Sequence, residues 1–362
     1  MKSKTLFAPM AYSLYEKNQT LPVKFERLLD KCPLKDKVDG KSVAVKMHVG
    51  DGVGYSTIPP IFVRSLVEKL KSWGAKPFLT DHNVLGREPA KRGYTDAILG
   101  APIVDVCGLL DQYYYEKKVD FNNLQDVDIA GYINDADFMI DFSHVKGHGT
   151  CGFGGACKNI AMGCVTQRTR SQIHSLEGGL DWDESKCIHC DKCLESCNHH
   201  ANSFDDEGKY NIFFHHCTYC QHCVKVCPTN AIKMTANKYE DFQKGMALTT
   251  KTVLDSFEEG HVYYINVLTQ ITALCDCWGM TTPSLVPDIG IIASDDIVAI
   301  ERASLDKIKI ENLIKQGVPK GRDLDGEGHL FERLHGKNPY VQLDELEKLG
   351  LGSQEYEEEV IR

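Results

Sequence analysis

Eight of the fifteen cysteines in this 362-residue chain fall into two runs of one pattern. Cys187, Cys190, Cys193 and Cys197 read C-x2-C-x2-C-x3-C, and Cys217, Cys220, Cys223 and Cys227 repeat it, each member 30 positions after its counterpart. Three thiolates at successive x2 spacing wrap a loop round one face of an iron-sulfur cubane. The fourth ligand must then come from elsewhere, and in two-cluster ferredoxins it comes from the other run. This logic assigns Cys187, Cys190, Cys193 and Cys227 to one 4Fe-4S cluster, and Cys217, Cys220, Cys223 and Cys197 to a second. The crossing sets the clusters close together, as a one-electron relay requires. Zinc ribbons use paired C-x2-C hooks at longer separations and have no use for three cysteines in succession. One departure stands out: Pro228 follows Cys227, but Asn198 follows Cys197, so the turn after the first crossing cysteine differs. His189, His199, His200, His215, His216 and His222 lie among the ligands, either as solvated surface or as donors that tune the clusters.

A second chemical stretch runs from Ser143 to Asn159, with the sequence Ser-His-Val-Lys-Gly-His-Gly-Thr-Cys-Gly-Phe-Gly-Gly-Ala-Cys-Lys-Asn. It leaves an expected strand and enters an expected helix, and the carboxyl ends of parallel strands are where ligands bind. Glycines let backbone amides approach an anion, the helix start adds its positive end, and Lys146 and Lys158 add charge. The expectation is that Lys146, His148 and Lys158 border an anionic substrate as the catalytic groups. Gly152, Gly154 and Gly155 form the loop that receives it; a glycine-rich structural crossover is the alternative. Gly147 to Gly152 matches G-x-G-x-x-G only formally, because the helix starts after Gly155.

Among the seven other cysteines, Cys275 and Cys277 form a C-x-C pair beyond a strand exit. With Cys164, and His174 ten residues further on, they would offer a soft metal site. A redox couple and two small packed side chains are equally open readings.

These groups need a scaffold, and the flanking sequence supplies one. Short apolar runs at Ser42 to Met47, Lys76 to Asp81, Pro102 to Val106, Asp137 to Val145, Val262 to Val267 and Ile289 to Ala293 read as strands. Val63, Leu66, Val67, Leu70 and Trp73 recur at helical spacing between Pro60 and Gly74, so a βαβ unit and a parallel sheet follow. Ser294-Asp-Asp caps a helix through Ile297, Ile300 and Leu305. Hydrophobic periodicity stops at about Asp181 and returns after about Ala236. The fold class expected is therefore α/β: a mostly parallel sheet domain, residues 1–180 and 237–362, interrupted by a small two-cluster ferredoxin-like α+β insert at 181–236. The acidic tail through Glu357, Glu358 and Glu359 reads as solvated surface.

The composition, 42% hydrophobic and 25% charged, is that of a soluble globular protein. A net charge of -10 disfavours a phosphate-backbone partner, so no nucleic acid is expected. No run approaches the roughly 20 apolar residues of a membrane span, and the opening stub lacks a signal-peptide core. A cytoplasmic, anaerobic setting is the default.

The residues also resemble a known group: the iron-sulfur centre proteins that carry the domain of unknown function numbered 362, interrupted by a bacterial-type ferredoxin module. The matching stretches are His144-Val-Lys-Gly-His148, Gly154 to Cys164, Cys275-Asp-Cys277, Asp288 to Ser294 and Leu349-Gly-Leu-Gly352. Where that family often has Asp-Pro-Val-Ala-Ile-Asp, this chain has Asp296-Ile-Val-Ala-Ile-Glu301. The resemblance implies the fold and the clusters but no reaction. The function expected is an iron-sulfur redox protein, and an oxidoreductase if it turns a substrate over. Its two clusters would pass electrons to or from an anionic substrate or cofactor at the glycine-rich loop, with a redox partner protein outside. The alternative is a non-catalytic electron carrier, or a metal or cofactor assembly protein, that docks a partner enzyme.

Overall fold

The computed structural model describes every residue except 1, 198, 214, 215, 218–220, 236–238, 321 and 323. The expected ligand Cys220, with Asn198 and His215, lies outside the described residues. An eight-stranded sheet is built from β1 (Ser3–Pro9), β2 (Ser42–Lys46), β3 (Lys76–Asp81), β4 (Ile103–Asp105), β5 (Phe138–His144), β6 (Val262–Leu268), β7 (Gly290–Ser294) and β8 (Tyr356–Val360). Their order is β8-β1-β7-β6-β5-β2-β3-β4. All run the same way except β7, which opposes both β1 and β6. The expected mostly parallel α/β class is what the chain adopts.

Both faces of the sheet are covered, which is why its central strands carry apolar residues on both faces, with the polar Lys46, Asp141, Ser143 and Asn266 buried among them. Val43, Val45, Ile140 and Phe142 point to one face, where they pack with Phe25, Leu28, Val63 and Leu66 of α1 (Leu21–Lys31) and α2 (Pro60–Ser72). Ala44, Met139, Tyr264 and Ile292 point to the other. There they meet Ile160 of α3 (Ala156–Gly163), Phe242 and Met246 of α4 (Tyr239–Leu254), and Ile300 of α5 (Ile297–Lys307). The Asp296 carboxylate caps α5 by accepting from Val298 N and Ala299 N at 2.8 and 2.9 Å, and Ser294 Oγ accepts from Asp296 N. No helix among the described residues is long and apolar enough to cross a membrane.

The acidic tail differs from the expectation of a solvated surface. It forms the edge strand β8, paired in parallel with β1, because lysines offset its charge. Glu359 meets Lys4 at 2.8 Å and Lys31 at 3.3 Å, and Glu358 meets Lys307 at 2.7 Å. A charged edge also discourages further strand addition.

In the cysteine-rich segment, Leu180–Trp182 pairs antiparallel with Ile232–Met234, so the chain enters and leaves on one two-stranded ladder. A second ladder joins Asn202–Phe204 to Tyr210–Ile212. Cys193, Tyr210 and Ile232 make a small core with Trp182, Phe204 and Val224.

Candidate functional site

The carboxyl ends of β2, β3 and β5 and the chain beyond β6 converge on a cavity of about 60 Å³, room for a phosphate- or carboxylate-sized group. Lys46, the last residue of β2, donates to Asp81 Oδ1 at 3.0 Å and to Asn159 Oδ1 at 2.6 Å. Asp81, the last residue of β3, accepts from His48 Nδ1 at 2.8 Å and Val49 N at 3.1 Å. Burial opposes its charge, but Lys46 and His48 hold the Asp81 carboxyl well below the usual range. Burial lowers His48 as well, against the pull of Asp81. A neutral His48 that donates through Nδ1 has its lone pair on Nε2. That atom has no hydrogen-bond partner among the described residues. Arg87 and Arg170 close the rim: Arg87 bonds the His82 carbonyl at 2.9 Å and Asp51 at 2.8 Å, while Arg170 meets His82 Nδ1 at 2.6 Å.

The glycine-rich stretch enters this cavity through a tight hairpin, Lys146–His148 against Gly152–Gly154, and then α3. Gly154, Gly155, Lys158, Asn159 and Gly163 line it. A Cβ on Gly155 would collide with the Glu301 carboxylate, and one on Gly163 with the end of the Lys46 side chain, so a larger residue at either position would displace those groups. Lys158 Nζ stands 3.6 Å from the sulfur of Cys275 and 3.4 Å from that of Cys277, and burial brings its ammonium down to about 8. Cys275 and Cys277 are joined as a disulfide, with Cα atoms 5.5 Å apart.

Other expected residues are placed differently. Lys146 does not line the cavity: its buried ammonium donates to Ser56 O and Oγ at 2.7 and 2.8 Å and to Asp276 Oδ1 at 2.6 Å. Asp276 also meets His144 Nδ1 at 2.8 Å, and despite burial His144 and Lys146 hold its carboxyl far down. His148 sits behind the cavity, with a ring nitrogen within 4.8 Å of both C-x-C sulfurs. Gly152, at φ 80°, lies against the backbone of Lys337 and Pro339, where it serves the turn and not the cavity. Cys164 ends α3 fully buried, its carbonyl accepting from Ala130 N at 2.9 Å, and is not in the sulfur group that includes His148. His174 pairs with Glu177.

Sequence reasoning passed over Lys46, His48 and Asp81, although the strand-end rule pointed to them. Arg87 and Arg170 sit in short helices with no such signal. Two buried carboxyls were also missed. Burial raises Glu301 to about 8; it accepts from Cys157 N at 2.8 Å and Asn266 Nδ2 at 3.2 Å. Burial raises Asp141 to about 7, with Ser143 Oγ donating at 2.7 Å and Asn159 Nδ2 also donating.

The cysteine runs repeat in backbone as well as in sequence. Asp191 and Gln221, each between the second and third cysteine of a run, have φ of 56° and 60°, and His200 and Asn230 have 50° and 52°. One-turn helices follow the first pair, at Lys192–Glu195 and His222–Val226. The crossing cysteines behave alike: Cys197 Sγ accepts from Ala201 N at 3.3 Å and Cys227 Sγ from Ala231 N at 3.2 Å. Amide donors to sulfur and an all-thiol donor set are what a 4Fe-4S cluster uses, so the residues fit that group.

Comparison with known proteins gives partial matches. The chain is 36% identical over 50 residues to pyruvate synthase subunit PorD of Methanocaldococcus jannaschii, covering 14% of this chain and 58% of that one. It is 28% identical over 81 residues to the archaeal-type glutamate synthase (NADPH) of Dehalococcoides mccartyi, covering 22% and 16%. The chain thus spans only part of the length of these relatives. Among solved structures, the lactate racemase apoprotein from Thermoanaerobacterium thermosaccharolyticum aligns at 13% identity and a TM-score of 0.37, over 74% of this chain and 50% of that one. A likeness at that level says nothing about chemistry. Over residues 43–306, which take in the strand ends, the glycine-rich loop, the cysteine runs and the C-x-C pair, the chain matches the family described as a domain of unknown function (DUF362), and it belongs to that family.

Proposed function

We propose that this protein is an iron-sulfur redox protein that moves electrons between two 4Fe-4S clusters and a small anion held at the strand ends. Cys187, Cys190, Cys193 and Cys227 would hold one cluster, and Cys217, Cys220, Cys223 and Cys197 the other. Each cluster, when bound, supplies one electron at a time.

The observation that carries the reading is the cavity's charge. Lys46, Arg87, Lys158 and Arg170 surround about 60 Å³ of space in a protein whose net charge is -10. Asp81 and Asp276 offset part of that charge and fix the cations in place. Gly154, where a Cβ would crowd the Lys158 side chain, leaves that lysine its place beside the anion, and the Nε2 lone pair of His48 is placed to take a proton from it. A redox protein outside the chain would recharge the clusters. The word subunit in the name of the PorD relative accords with this.

Calorimetry with inorganic phosphate on the full chain tests the anion site. Binding is expected, and Lys158→Ala should weaken it roughly 10- to 100-fold, the worth of one charge-assisted hydrogen bond. No measurable binding, or equal binding by the variant, would remove the anion from the account.

A further inference from the structure

The insert reaches the segment of the C-x-C pair through Trp278. Trp278 follows Cys277 directly, and its indole packs on Phe213 and His216 with ring centroids 5.3 and 6.2 Å apart. His216 directly precedes Cys217, whose carbonyl accepts from the buried Lys337 ammonium. A cysteine of the second run is thus linked to the C-x-C pair by two aromatic side chains and a single non-bonded step.

The pair itself is furnished for thiol chemistry. On one side stands the Lys158 ammonium, 3.6 and 3.4 Å from the two sulfurs. His148 also has a ring nitrogen within 4.8 Å of both. Thr150 N and Cys151 N donate to His148 Nδ1 at 3.2 and 3.4 Å, which puts the ring proton on Nε2. In that tautomer neither nitrogen has an uncommitted lone pair for a metal, and the ring is a hydrogen-bond donor. A cation and a hydrogen-bond donor beside two sulfurs suit a couple that alternates between disulfide and thiol.

We propose that Cys275 and Cys277 form a reversible dithiol–disulfide couple, charged from the insert through His216 and Trp278 and discharged into the cation-lined cavity beside Lys158. The charging step rests on the reading of the insert given above. Reduction takes two electrons and two protons: the S–S bond breaks, and each sulfur leaves as a thiol. The electrons arrive singly from a low-potential iron-sulfur donor, so two deliveries complete one reduction. In the return half, the two thiols give two electrons and two protons to a negatively charged two-electron acceptor in the cavity, and the disulfide reforms. The couple thereby converts one-electron supply into two-electron chemistry.

The full chain, prepared anaerobically, is equilibrated in dithiothreitol buffers of graded potential, acid-quenched and alkylated in denaturant. The peptide bearing Cys275 and Cys277 is then read by mass spectrometry. Both sulfurs should become alkylated together, in one transition with the slope of a two-electron couple. A second arm supplies reduced methyl viologen in place of dithiothreitol. Wild type should then reduce the pair, and Trp278→Leu should do so more slowly at an unchanged midpoint. A pair that stays in one state across all buffers would overturn the proposal. So would a pair that retains stoichiometric zinc, copper or iron lost on Cys275→Ser, or equal viologen rates in wild type and Trp278→Leu. If the protein binds no iron yet the pair still titrates as a two-electron couple, the insert's reading fails and the couple stands.

Discussion

Glu301 shows what the burial of a single carboxyl costs the protein around its candidate site. Its folded-state value, raised by burial to about 8, lies above the ordinary 4.5 of the unfolded chain. Between those values the folded protein holds a proton that the unfolded chain has released, so stability falls as pH rises through that window. Glu301→Gln keeps an acceptor for Cys157 N and removes the titration. Urea unfolding should therefore show the variant more stable than wild type at pH 8.5, by the order of 1–3 kcal/mol, and nearly equal to it at pH 5. A parallel pH dependence in the two proteins would contradict the assignment. At this scale the sequence was partly legible. Lys158, Gly154 and Gly155 lie where the glycine-rich run pointed. Lys146 carries the same charge three residues into the same run, yet its strand position turns it to Ser56 and Asp276. Asp276 went unread because it lies between two cysteines that drew the chemical interest, and only the folded chain shows it gathering Lys146 and His144.

The elements that carry these residues were more legible, because period and punctuation mark them. The run expected at Lys76 to Asp81 is β3, and those at Pro102 to Val106 and Asp137 to Val145 shorten by one residue at each end to β4 and β5. The edge strand β8 was hidden, since its alternation is written in glutamates whose partners, Lys4, Lys31 and Lys307, lie far away in sequence. Tertiary pairing there overrides composition. The junction between the glycine hairpin and α3 is the element on which the cavity depends, and Gly155 lies where Glu301 leaves no space for a side chain. Gly155→Ala should cost about 1–3 kcal/mol by overpacking, read as a lowered urea midpoint at unchanged m-value. The same substitution at Gly326, where a Cβ would meet nothing within 4 Å although φ is 115°, serves as a control for backbone strain alone. An unchanged midpoint for Gly155→Ala would show that contact with Glu301 is not what fixes Gly155.

Over the whole molecule, an acidic chain gathers Lys46, Arg87, Lys158 and Arg170 at the strand ends and sets a cysteine-rich insert against the segment that carries the C-x-C pair. The repeated cysteine pattern of that insert is legible from spacing alone, because eight cysteines fall into two identical runs 30 residues apart. Its docking through Trp278 was not, since no local pattern announces a contact between Phe213 and a residue 65 positions away. Cys190→Ser should remove one cluster and leave the other, halving the iron bound, unless loss of one unfolds the small core shared by both runs; circular dichroism on the same sample separates those outcomes. The direct test of the account is the iron and acid-labile sulfide content of anaerobically reconstituted wild-type protein. Two clusters predict about eight of each per chain, whereas negligible iron alongside stoichiometric zinc would contradict the account at its root.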